Sequence, residues 1–414
     1  MKNIVIFGVS GDLSQRYILP ALQKLSAKGH HFNYFGFARS LPGPQFKKGF
    51  LKKINYFTGN YDYDGLASLS KEITPDTIFY FSLPTSFELI SSLISALNKY
   101  KLIDSRTRLV IEKPFGSDST TAKKLMNYLE KSVGQENIFL VDHYLTKELV
   151  RNLVSLRFAN PIIDHLWDRY HIQEINIIAI ESEGIGSRGG YYDQIGAVRD
   201  MVQNHCLQLL ALVTLTQPPS FNTEDFVTKK LEILDHLQLL NPISKSISLG
   251  QYHGYLNEPG VPAKSSTETF AEIKFELDLP RWKGVPITIT TGKKLSQKLT
   301  EINIIFKPNS EPNLWKDRRS LAPNTLTVNL TPDSDIYLSL NSSFQPHAER
   351  PKPKKLHIGH LSLHPSSAYQ NVILDIISGV KINTPSFAEV LSQWRLTDRI
   401  LSTPKVRSQM FIYK

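Results

Sequence analysis

The sequence contains a single cysteine, Cys206, among 414 residues, so no disulfide can form within the chain. This absence suits a reducing compartment, and we expect a cytoplasmic location. The N-terminal stretch MKNIVIFGVSGD lacks a small-residue cleavage site, so we interpret it as a buried strand rather than an export signal. No apolar run approaches the roughly 20 residues that a membrane-spanning helix needs, so no membrane partner is expected.

Long runs of one charge are also missing, although the formal net charge is +10. This charge favours an anionic partner but does not choose between phosphorylated metabolites, nucleic acid and acidic surfaces. The densest basic cluster, RPKPKKLHIGH at residues 350–360, has no interleaved aromatic residues, which argues against a nucleic-acid site. We interpret it as a solvated connection that its prolines keep out of a sheet. His357 and His360 have no Cys or carboxylate nearby in the sequence, and we expect no metal site.

The first third of the chain alternates predicted strands with predicted helices. Five apolar runs are typical of buried strands: KNIVIFG, HFNYFGFA, DTIFYFSLP, TRLVIEKPF and NIFLVDHYL. Amphipathic stretches between them are typical of helices: LPALQKLSAKG, SFELISSLISALNKY and TTAKKLMNYLEKSV. This alternation predicts a Rossmann-type α/β dinucleotide-binding domain over residues 1–145, with ligands at the carboxyl ends of parallel strands.

The rest of the chain, residues 146–414, has a different pattern. Several strand-like stretches follow one another without long helices between them: IQEINIIAIES, TETFAEIKFEL, VPITITTG, EINIIFK, NTLTVNL and DIYLSLN. The stretch GAVRDMVQNHCLQLLALVTL predicts a long, mostly buried helix, and two more helices are predicted near residues 368–379 and 386–401. We therefore predict an α+β domain with a large, mainly antiparallel sheet.

The loop after the first predicted strand, GVSGDL, has the features of a phosphate site. Gly8 and Gly11 allow the backbone to turn tightly and to approach a ligand closely. The backbone N–H groups of Ser10, Gly11, Asp12 and Leu13 would then point at an anion from the start of a helix. We expect the Asp12 carboxylate to cap that helix, facing its own backbone rather than the phosphates.

The second predicted strand ends in FGFARS, where the ribose of the adenosine would lie in a dinucleotide site. Sites for NAD commonly place an acidic residue here, whereas an Arg accommodates the 2′-phosphate of NADP. Because Arg39 and Ser40 are present and an acid is not, the predicted cofactor is NADP.

Seven motifs in one order together resemble the glucose-6-phosphate dehydrogenase family: GVSGDL, EKPFG, DHYLTKE, RGGYYD, RDMVQNH, PGVPAKSSTETF and RWKGVP…TGKKL. The resemblance extends over nearly the whole chain. It implies NADP-dependent oxidation of glucose 6-phosphate at C1 to the 6-phosphoglucono-lactone, the first step of an oxidative pentose phosphate pathway. It also implies a homodimer or homotetramer.

The resemblance implies roles for individual residues as well. His205 would be the general base that removes the proton of the C1 hydroxyl, with Asp142 holding its ring. The implied ligands of the sugar phosphate are His143, Tyr144 and Lys147 for the 6-phosphate, Glu181 and Asp200 for the hydroxyls, and Lys293, Lys298 and Lys113, the last also beside the cofactor. His143 and Lys147 are neighbours if their segment is helical.

Several features depart from the usual pattern of the family. The segment after Arg39 is short, a K-x-P-G stretch is missing near the C-terminus, Thr290 replaces a common Arg, and Thr331 replaces a Gln that helps to hold the sugar. Two alternatives therefore stay open. One is the same chemistry on a related sugar phosphate, such as an amino-sugar 6-phosphate; the other is a catalytically silent relative that binds nucleotide and acts as a partner or regulator.

Overall fold

The computed structural model describes residues 2–308, 321–343, 352–360, 366–403 and 410–414. The chain divides into two compact units. The first consists of Met1–Lys147, Ser220–Val227 and His364–Arg395, and the second of Glu148–Pro219, Thr228–Leu363 and Leu396–Lys414. The first division of the chain falls close to the predicted boundary at 145, but the first unit also takes in two later segments. The assignment of functional domains to residues 1–145 and 146–414 stays a prediction.

The first unit is built on a six-stranded parallel sheet. Its strands are β1 Asn3–Phe7, β2 Asn33–Ala38, β3 Ile54–Thr58, β4 Thr77–Phe81, β5 Arg108–Glu112 and β6 Ile138–Val141. They lie in the order β3-β2-β1-β4-β5-β6, which confirms the predicted Rossmann-type fold. Strand β3 was not predicted, because this edge strand is largely accessible to solvent and lacks the continuous apolar run of the others.

The second unit contains a ten-stranded sheet. Its strands are β7 Ile172–Ile180, β8 Leu237–Leu239, β9 Ile247–Tyr252, β10 Phe270–Leu277, β11 Ile287–Gly292, β12 Leu299–Phe306, β13 Thr325–Thr331, β14 Asp335–Ser343, β15 Lys352–His360 and β16 Phe411–Tyr413. The order is β15-β14-β13-β12-β7-β11-β10-β9-β16, with β8 also on β10. Only the β7–β11 and β9–β16 pairs among the described strands of this sheet are parallel, which confirms the mainly antiparallel prediction.

The α-helices lie mostly between strands or after them. In chain order they are α1 Leu19–Ala27, α2 Phe87–Lys99, α3 Ser119–Val133, α4 Glu148–Phe158, α5 Pro161–Asp164, α6 Gly189–Tyr192, α7 Leu207–Thr214, α8 Thr223–Asp235, α9 Ser366–Ser378 and α10 Phe387–Ser402. Two π-helices span Ser14–Ile18 and Val198–Cys206. Short 3₁₀ helices span Pro44–Lys47, Gly49–Lys53, Leu69–Lys71, Gln135–Asn137, Gly186–Arg188, Ile243–Lys245 and Tyr255–Asn257.

Helices cover both faces of the parallel sheet, which explains why its strands are continuous apolar runs. Apolar residues of α2, α3 and the start of α10 pack on one face, and those of α1 and α9 pack on the other. The Trp394 side chain is fully buried in the first of these layers, and its indole N–H donates to the Phe115 carbonyl at 2.8 Å. No helix in the described part of the chain is long and apolar enough to cross a bilayer.

One prediction about the basic cluster at residues 350–360 is wrong, namely that it lies outside any sheet. Its residues Lys352–His360 form β15 at the edge of the second sheet, so the prolines do not keep this segment out of a sheet. An edge strand pairs on one side alone and therefore tolerates Pro353, which has no backbone donor. The pairing is irregular nearby, with a register shift between Asn341 and Ser343.

The two histidines of this cluster are described only in part. The Nδ1 atom of His357 lies 2.5 Å from an Asp335 carboxylate oxygen on the neighbouring strand, so a carboxylate absent from the nearby sequence is supplied by the fold. The His360 side chain lies outside the described residues. Within the described residues, no group of three or more His, Cys, Asp or Glu side chains could hold a metal ion.

Candidate active site

The loop after β1 is a tight turn that only glycine can make. Gly8 has φ +80°, and a Cβ atom there would lie 2.3 Å from the Ser82 carbonyl oxygen. The Gly11 N–H donates to the Gly8 carbonyl at 2.9 Å, and the Ser14 hydroxyl donates to the same oxygen at 2.9 Å. Hydrogen bonds to the Gly8 carbonyl therefore fix the loop. A glycine at position 8 can adopt the positive φ and also fits beside the Ser82 carbonyl.

Asp12 does not cap the helix that follows. An N-cap residue lies outside the helix, whereas Asp12 is already in the first turn and Leu13 has helical angles (φ −58°, ψ −46°). The Asp12 side chain is 77% exposed, and its carboxylate lies 3.5 Å from the Arg16 guanidinium. The capping prediction is wrong. The acid instead points into solvent, beside a cation one turn away that offsets its charge.

The end of β2 meets this loop. The Ser10 and Ser40 hydroxyl oxygens lie 3.2 Å apart, and the Tyr56 hydroxyl donates to the Ser40 carbonyl at 3.0 Å. The Arg39 guanidinium is exposed and lies 5.8 Å from the centre of the Tyr61 ring. The structure thus brings together the residues predicted for the diphosphate and those predicted for the 2′-phosphate.

A buried carboxyl group ends β5, directly before Lys113. Glu112 is 6% exposed and accepts a hydrogen bond from the buried Tyr80 hydroxyl at 2.6 Å. Burial raises the pKa of Glu112 to about 7, with a contribution from the Asp142 charge, while Tyr80 and Lys113 oppose the rise. The peptide bond from Lys113 to Pro114 is cis. Glu112 was not singled out in the sequence, although an acid inside an apolar strand was a visible signal.

A series of turns after β6 carries four of the predicted residues. Asp142 is buried and accepts a hydrogen bond from the Tyr144 backbone N–H at 2.9 Å. His143 and Lys147 both contact the Tyr144 ring, with the two rings centred 5.0 Å apart and the ammonium 4.4 Å from the ring centre. The segment is not helical, since α4 begins at Glu148. His143 and Lys147 therefore lie close together because both contact the Tyr144 ring, and not because of helical spacing.

In the second unit, Lys293 is held between two carboxylates. Glu181 and Lys293 directly follow β7 and β11, which are parallel neighbours with Ile180 opposite Gly292, so the next residues lie side by side. The Lys293 ammonium forms an ion pair with Glu181 and lies 3.4 Å from an Asp200 carboxylate oxygen. Lys293 is only 7% exposed, which makes this pairing a requirement.

Lys298, the other lysine predicted from this motif, lies elsewhere. It is exposed in the loop immediately before β12. Within the described part of the chain it makes no ion pair with the Lys293 cluster. Three of the predicted sugar ligands, Glu181, Asp200 and Lys293, are thus brought together in this unit, and the fourth is not.

The helix that carries Asp200 and His205 is a π-helix. The Leu207 N–H at its end donates to the Val202 carbonyl five residues earlier. Residues five apart lie one above the other in such a helix, whereas in an α-helix they diverge. Asp200 and His205 are five apart, so the π-helix places them on one face. His205 is 1% exposed. The predicted regular helix is therefore a π-helix over Val198–Cys206 and continues as an α-helix over Leu207–Thr214.

A buried glutamate holds the start of this π-helix. The Glu268 side chain is buried, and its Oε1 atom accepts a hydrogen bond from the Val198 N–H at 3.1 Å. Its backbone carbonyl accepts another from Ala197 at 3.0 Å. A carboxylate is favourable at a helix N-terminus, where N–H groups lack partners within the helix. Glu268 lies in the motif PGVPAKSSTETF, but the motif alone did not predict this role.

Three buried side chains hold the other end, where α7 stops. Arg157 donates to the carbonyls of Val213 and Leu215, each at 2.9 Å, although it is almost completely buried. The indole N–H groups of Trp167 and Trp282 donate to Val213 and Thr214 at 2.8 and 2.7 Å. The final carbonyls of a helix have no partners within it, so these donors fix its position. None of the three donors was predicted.

Comparison with known proteins identifies the family. The model for "Glucose-6-phosphate dehydrogenase, C-terminal domain" matches residues 154–414, and the model for "Glucose-6-phosphate dehydrogenase, NAD binding domain" matches residues 43–152. The chain belongs to the glucose-6-phosphate dehydrogenase family. This confirms the resemblance predicted from the seven motifs.

Individual relatives of the family cover almost the whole chain. Glucose-6-phosphate 1-dehydrogenase 2 of Mycobacterium bovis is 32% identical, with 96% of this chain and 87% of the relative aligned. Glucose-6-phosphate 1-dehydrogenase of Schizosaccharomyces pombe is 33% identical over the same two shares. A solved structure described as "Glucose-6-phosphate dehydrogenase in complex with its substrate glucose-6-phosphate" superposes with a TM-score of 0.88 at 30% identity, covering 100% of this chain and 94% of that one.

The raised pKa of Glu112 predicts a specific pH dependence of stability. The folded protein binds this proton more tightly than the unfolded chain, so the free energy of unfolding falls as pH rises from about 4.5 to about 7. Glu112→Gln cannot ionise and escapes this loss. We expect the variant to gain up to about 3 kcal/mol relative to the wild type between pH 5 and pH 8, measured by urea unfolding.

The matched control is Glu88→Gln, which removes an exposed carboxyl group from α2 in the same unit. Its stability should follow that of the wild type across the same pH range. Parallel curves for Glu112→Gln and the wild type would show that Glu112 has an ordinary pKa.

Proposed function

We propose that the protein oxidises glucose 6-phosphate at C1 with NADP and releases the 6-phosphoglucono-lactone, the first step of an oxidative pentose phosphate pathway. Membership of the family supports the reaction and the cofactor. The single structural observation that carries the proposal is the cluster of the buried Lys293 with the partly exposed Glu181 and Asp200, because a cation fixed between two carboxylates offers both donors and acceptors to a sugar.

We assign the proton transfer to His205. A neutral imidazole can accept the proton of the C1 hydroxyl near neutral pH, because the ordinary pKa of His is about 6.5. NADP, when bound, accepts the hydride that leaves C1. Asp142, whose carboxylate is fixed by the Tyr144 N–H, would accept a hydrogen bond from the far ring nitrogen and stabilise the imidazolium.

Charge complementarity supports the assignment of the phosphate. A 6-phosphate carries nearly two negative charges, and His143, Tyr144 and Lys147 supply a compact set of donors that contact one another. Lys113 and Lys298 would add positive charge, the former also beside the cofactor. Glu181 and Asp200 would accept hydrogen bonds from sugar hydroxyls while Lys293 offsets their charge.

The first unit contains residues that fit a dinucleotide. Gly8 makes the tight turn of the loop beside the Ser82 carbonyl, and the N–H groups of Ser10 to Leu13 would bind the diphosphate. Arg39 and Ser40 would bind the 2′-phosphate that distinguishes NADP from NAD. A cytoplasmic location and a homodimer or homotetramer stay predictions, the former consistent with the single, buried Cys206.

Activity is tested first with purified protein, by absorbance at the reduced-nicotinamide band. Glucose 6-phosphate, glucosamine 6-phosphate and other hexose phosphates are compared, each with NADP and NAD. We expect the highest kcat/KM for glucose 6-phosphate with NADP. Preference for another sugar would point to Thr290 and Thr331 as selectivity residues, and no turnover by folded protein would favour the silent relative.

Substitution of the base tests the mechanism. His205→Ala should lower kcat by about 100- to 10,000-fold, because general base catalysis contributes that much. The KM for NADP should change less than about twofold, since the base acts in the transition state. His171→Ala, which removes an exposed imidazole of the same unit, serves as the control. Full turnover by folded His205→Ala would refute the assignment.

Substitution of Arg39 tests the choice of cofactor. Arg39→Ala should raise the KM for NADP about tenfold or more, because a hydrogen bond to a charged group contributes about 1.5–3 kcal/mol. The KM for NAD should stay nearly constant, since NAD has no 2′-phosphate. Lys28→Ala, an exposed cation after α1, is the control. An equal loss with both cofactors would contradict the role of Arg39.

A further inference from the structure

The side chain of Tyr413, on the short strand β16, reaches the backbone of Lys293. The Tyr413 hydroxyl donates to the Lys293 carbonyl at 2.7 Å and lies 2.9 Å from the Thr269 hydroxyl and 3.1 Å from the Thr269 carbonyl. All three residues belong to the second unit. A residue more than 100 positions away in sequence thus contacts the backbone of the lysine at the centre of the Glu181–Asp200 cluster.

The other hydrogen bonds of Thr269 show which group donates in each contact of the Tyr413 hydroxyl. The Thr269 hydroxyl oxygen accepts a hydrogen bond from the Tyr252 N–H at 2.9 Å, which leaves its proton for the Tyr413 oxygen. The single proton of Tyr413 is then donated to the Lys293 carbonyl, the nearest acceptor. The Lys293 N–H donates back to the Thr269 carbonyl at 2.9 Å. Lys293 is therefore held by both its N–H and its C=O.

The backbone after Lys293 shows why this support matters. Lys294 has φ +54°, a left-handed conformation that is unfavourable for a residue with a side chain. Such a conformation persists only where the surroundings impose it. Here the Lys294 N–H donates to the Glu183 carbonyl at 3.0 Å, and the Leu295 N–H donates to the Glu181 carbonyl at 2.9 Å. The Tyr413 bond fixes the carbonyl immediately before this strained turn.

The Tyr413 ring is held in place from several sides. Its centre lies 5.8 Å from that of Phe270 and 6.4 Å from that of Tyr252. Pairing of β16 with β9 and a bond from the His253 N–H to the Tyr413 carbonyl at 2.7 Å fix the backbone. Burial raises the pKa of Tyr413 to about 12, so the phenol keeps the proton that it donates.

We propose that Tyr413 is a positioning residue for the substrate site: by fixing the Lys293 carbonyl, it sets the position of the ammonium group that binds the sugar phosphate. This inference rests on the proposed substrate role of Lys293. Loss of the hydroxyl would allow the strained turn to relax and would move Lys293 relative to Glu181 and Asp200. The consequence falls on binding of the sugar phosphate and leaves the cofactor unaffected.

The test is Tyr413→Phe in the full chain, which removes one oxygen atom and keeps the aromatic packing. We expect the KM for glucose 6-phosphate to rise about three- to tenfold, the range for one lost neutral hydrogen bond, with KM for NADP unchanged. Ile412→Thr is the matched control, because its side chain is 61% exposed on the same strand. A merely structural role would lower the melting temperature of Tyr413→Phe without separating the two KM values.

A double-mutant cycle with Lys293→Met separates this inference from the proposed function. Lys293→Met alone should raise the KM for glucose 6-phosphate by at least about tenfold, and Tyr413→Phe should add nothing in that background. An unchanged KM for Lys293→Met would overturn the substrate role of Lys293 and the inference with it. A raised KM for Lys293→Met with wild-type behaviour of Tyr413→Phe would overturn the inference alone.

Discussion

The architecture around the second sheet depends on one constraint, the burial of the Lys293 ammonium. Removing a charge from water costs several kcal/mol unless oppositely charged groups surround it. Glu181 and Asp200 meet this need from a strand end and from a helix, so the two elements must keep a fixed position relative to Lys293. Desolvation of the ammonium offsets part of the attraction in these pairs. The same arrangement places two carboxylates beside one cation.

The parallel pairing of β7 with β11 makes this cluster possible. In a mainly antiparallel sheet, adjacent strands end at opposite edges, and side chains that follow them are far apart. The parallel pair puts Glu181 and Lys293 at the same edge, one residue beyond each strand. The π-helix adds Asp200 and His205 on one of its faces. Glu268 holds its start, and Arg157 holds the end of α7, the helix that continues it. The predicted site thus depends on two irregular features, the parallel pair within the antiparallel sheet and the π-helix.

The long apolar strands and helices were predictable from the sequence, whereas the parallel pairing of β7 with β11 and the π-helix were not. Apart from β3, the strands of the first sheet are buried on both faces. Each is therefore a continuous apolar run that can be recognised in the sequence. The helix predicted through His205 has the right apolar content, but periodicity does not distinguish the hydrogen bonding of a π-helix from that of an α-helix. Asp12 had the chemistry of a cap and was one position too far into the helix. The roles of Arg157 and Tyr413 depend on contacts between distant segments, which no local pattern contains.

Different interactions hold the predicted cofactor residues and the predicted sugar residues. Substitutions should therefore disturb the two sets in different ways. The turn at Gly8 depends on space and backbone conformation, since any Cβ would clash with the Ser82 carbonyl. The exposed acid at position 12 lies beside this turn with its charge offset by Arg16. The Lys293 cluster depends on charge instead, because the nearly buried ammonium needs a carboxylate beside it, whereas Glu181 and Asp200 are partly exposed. The support from Tyr413 and Thr269 is neutral, so it can fix the lysine without changing the net charge of the cluster.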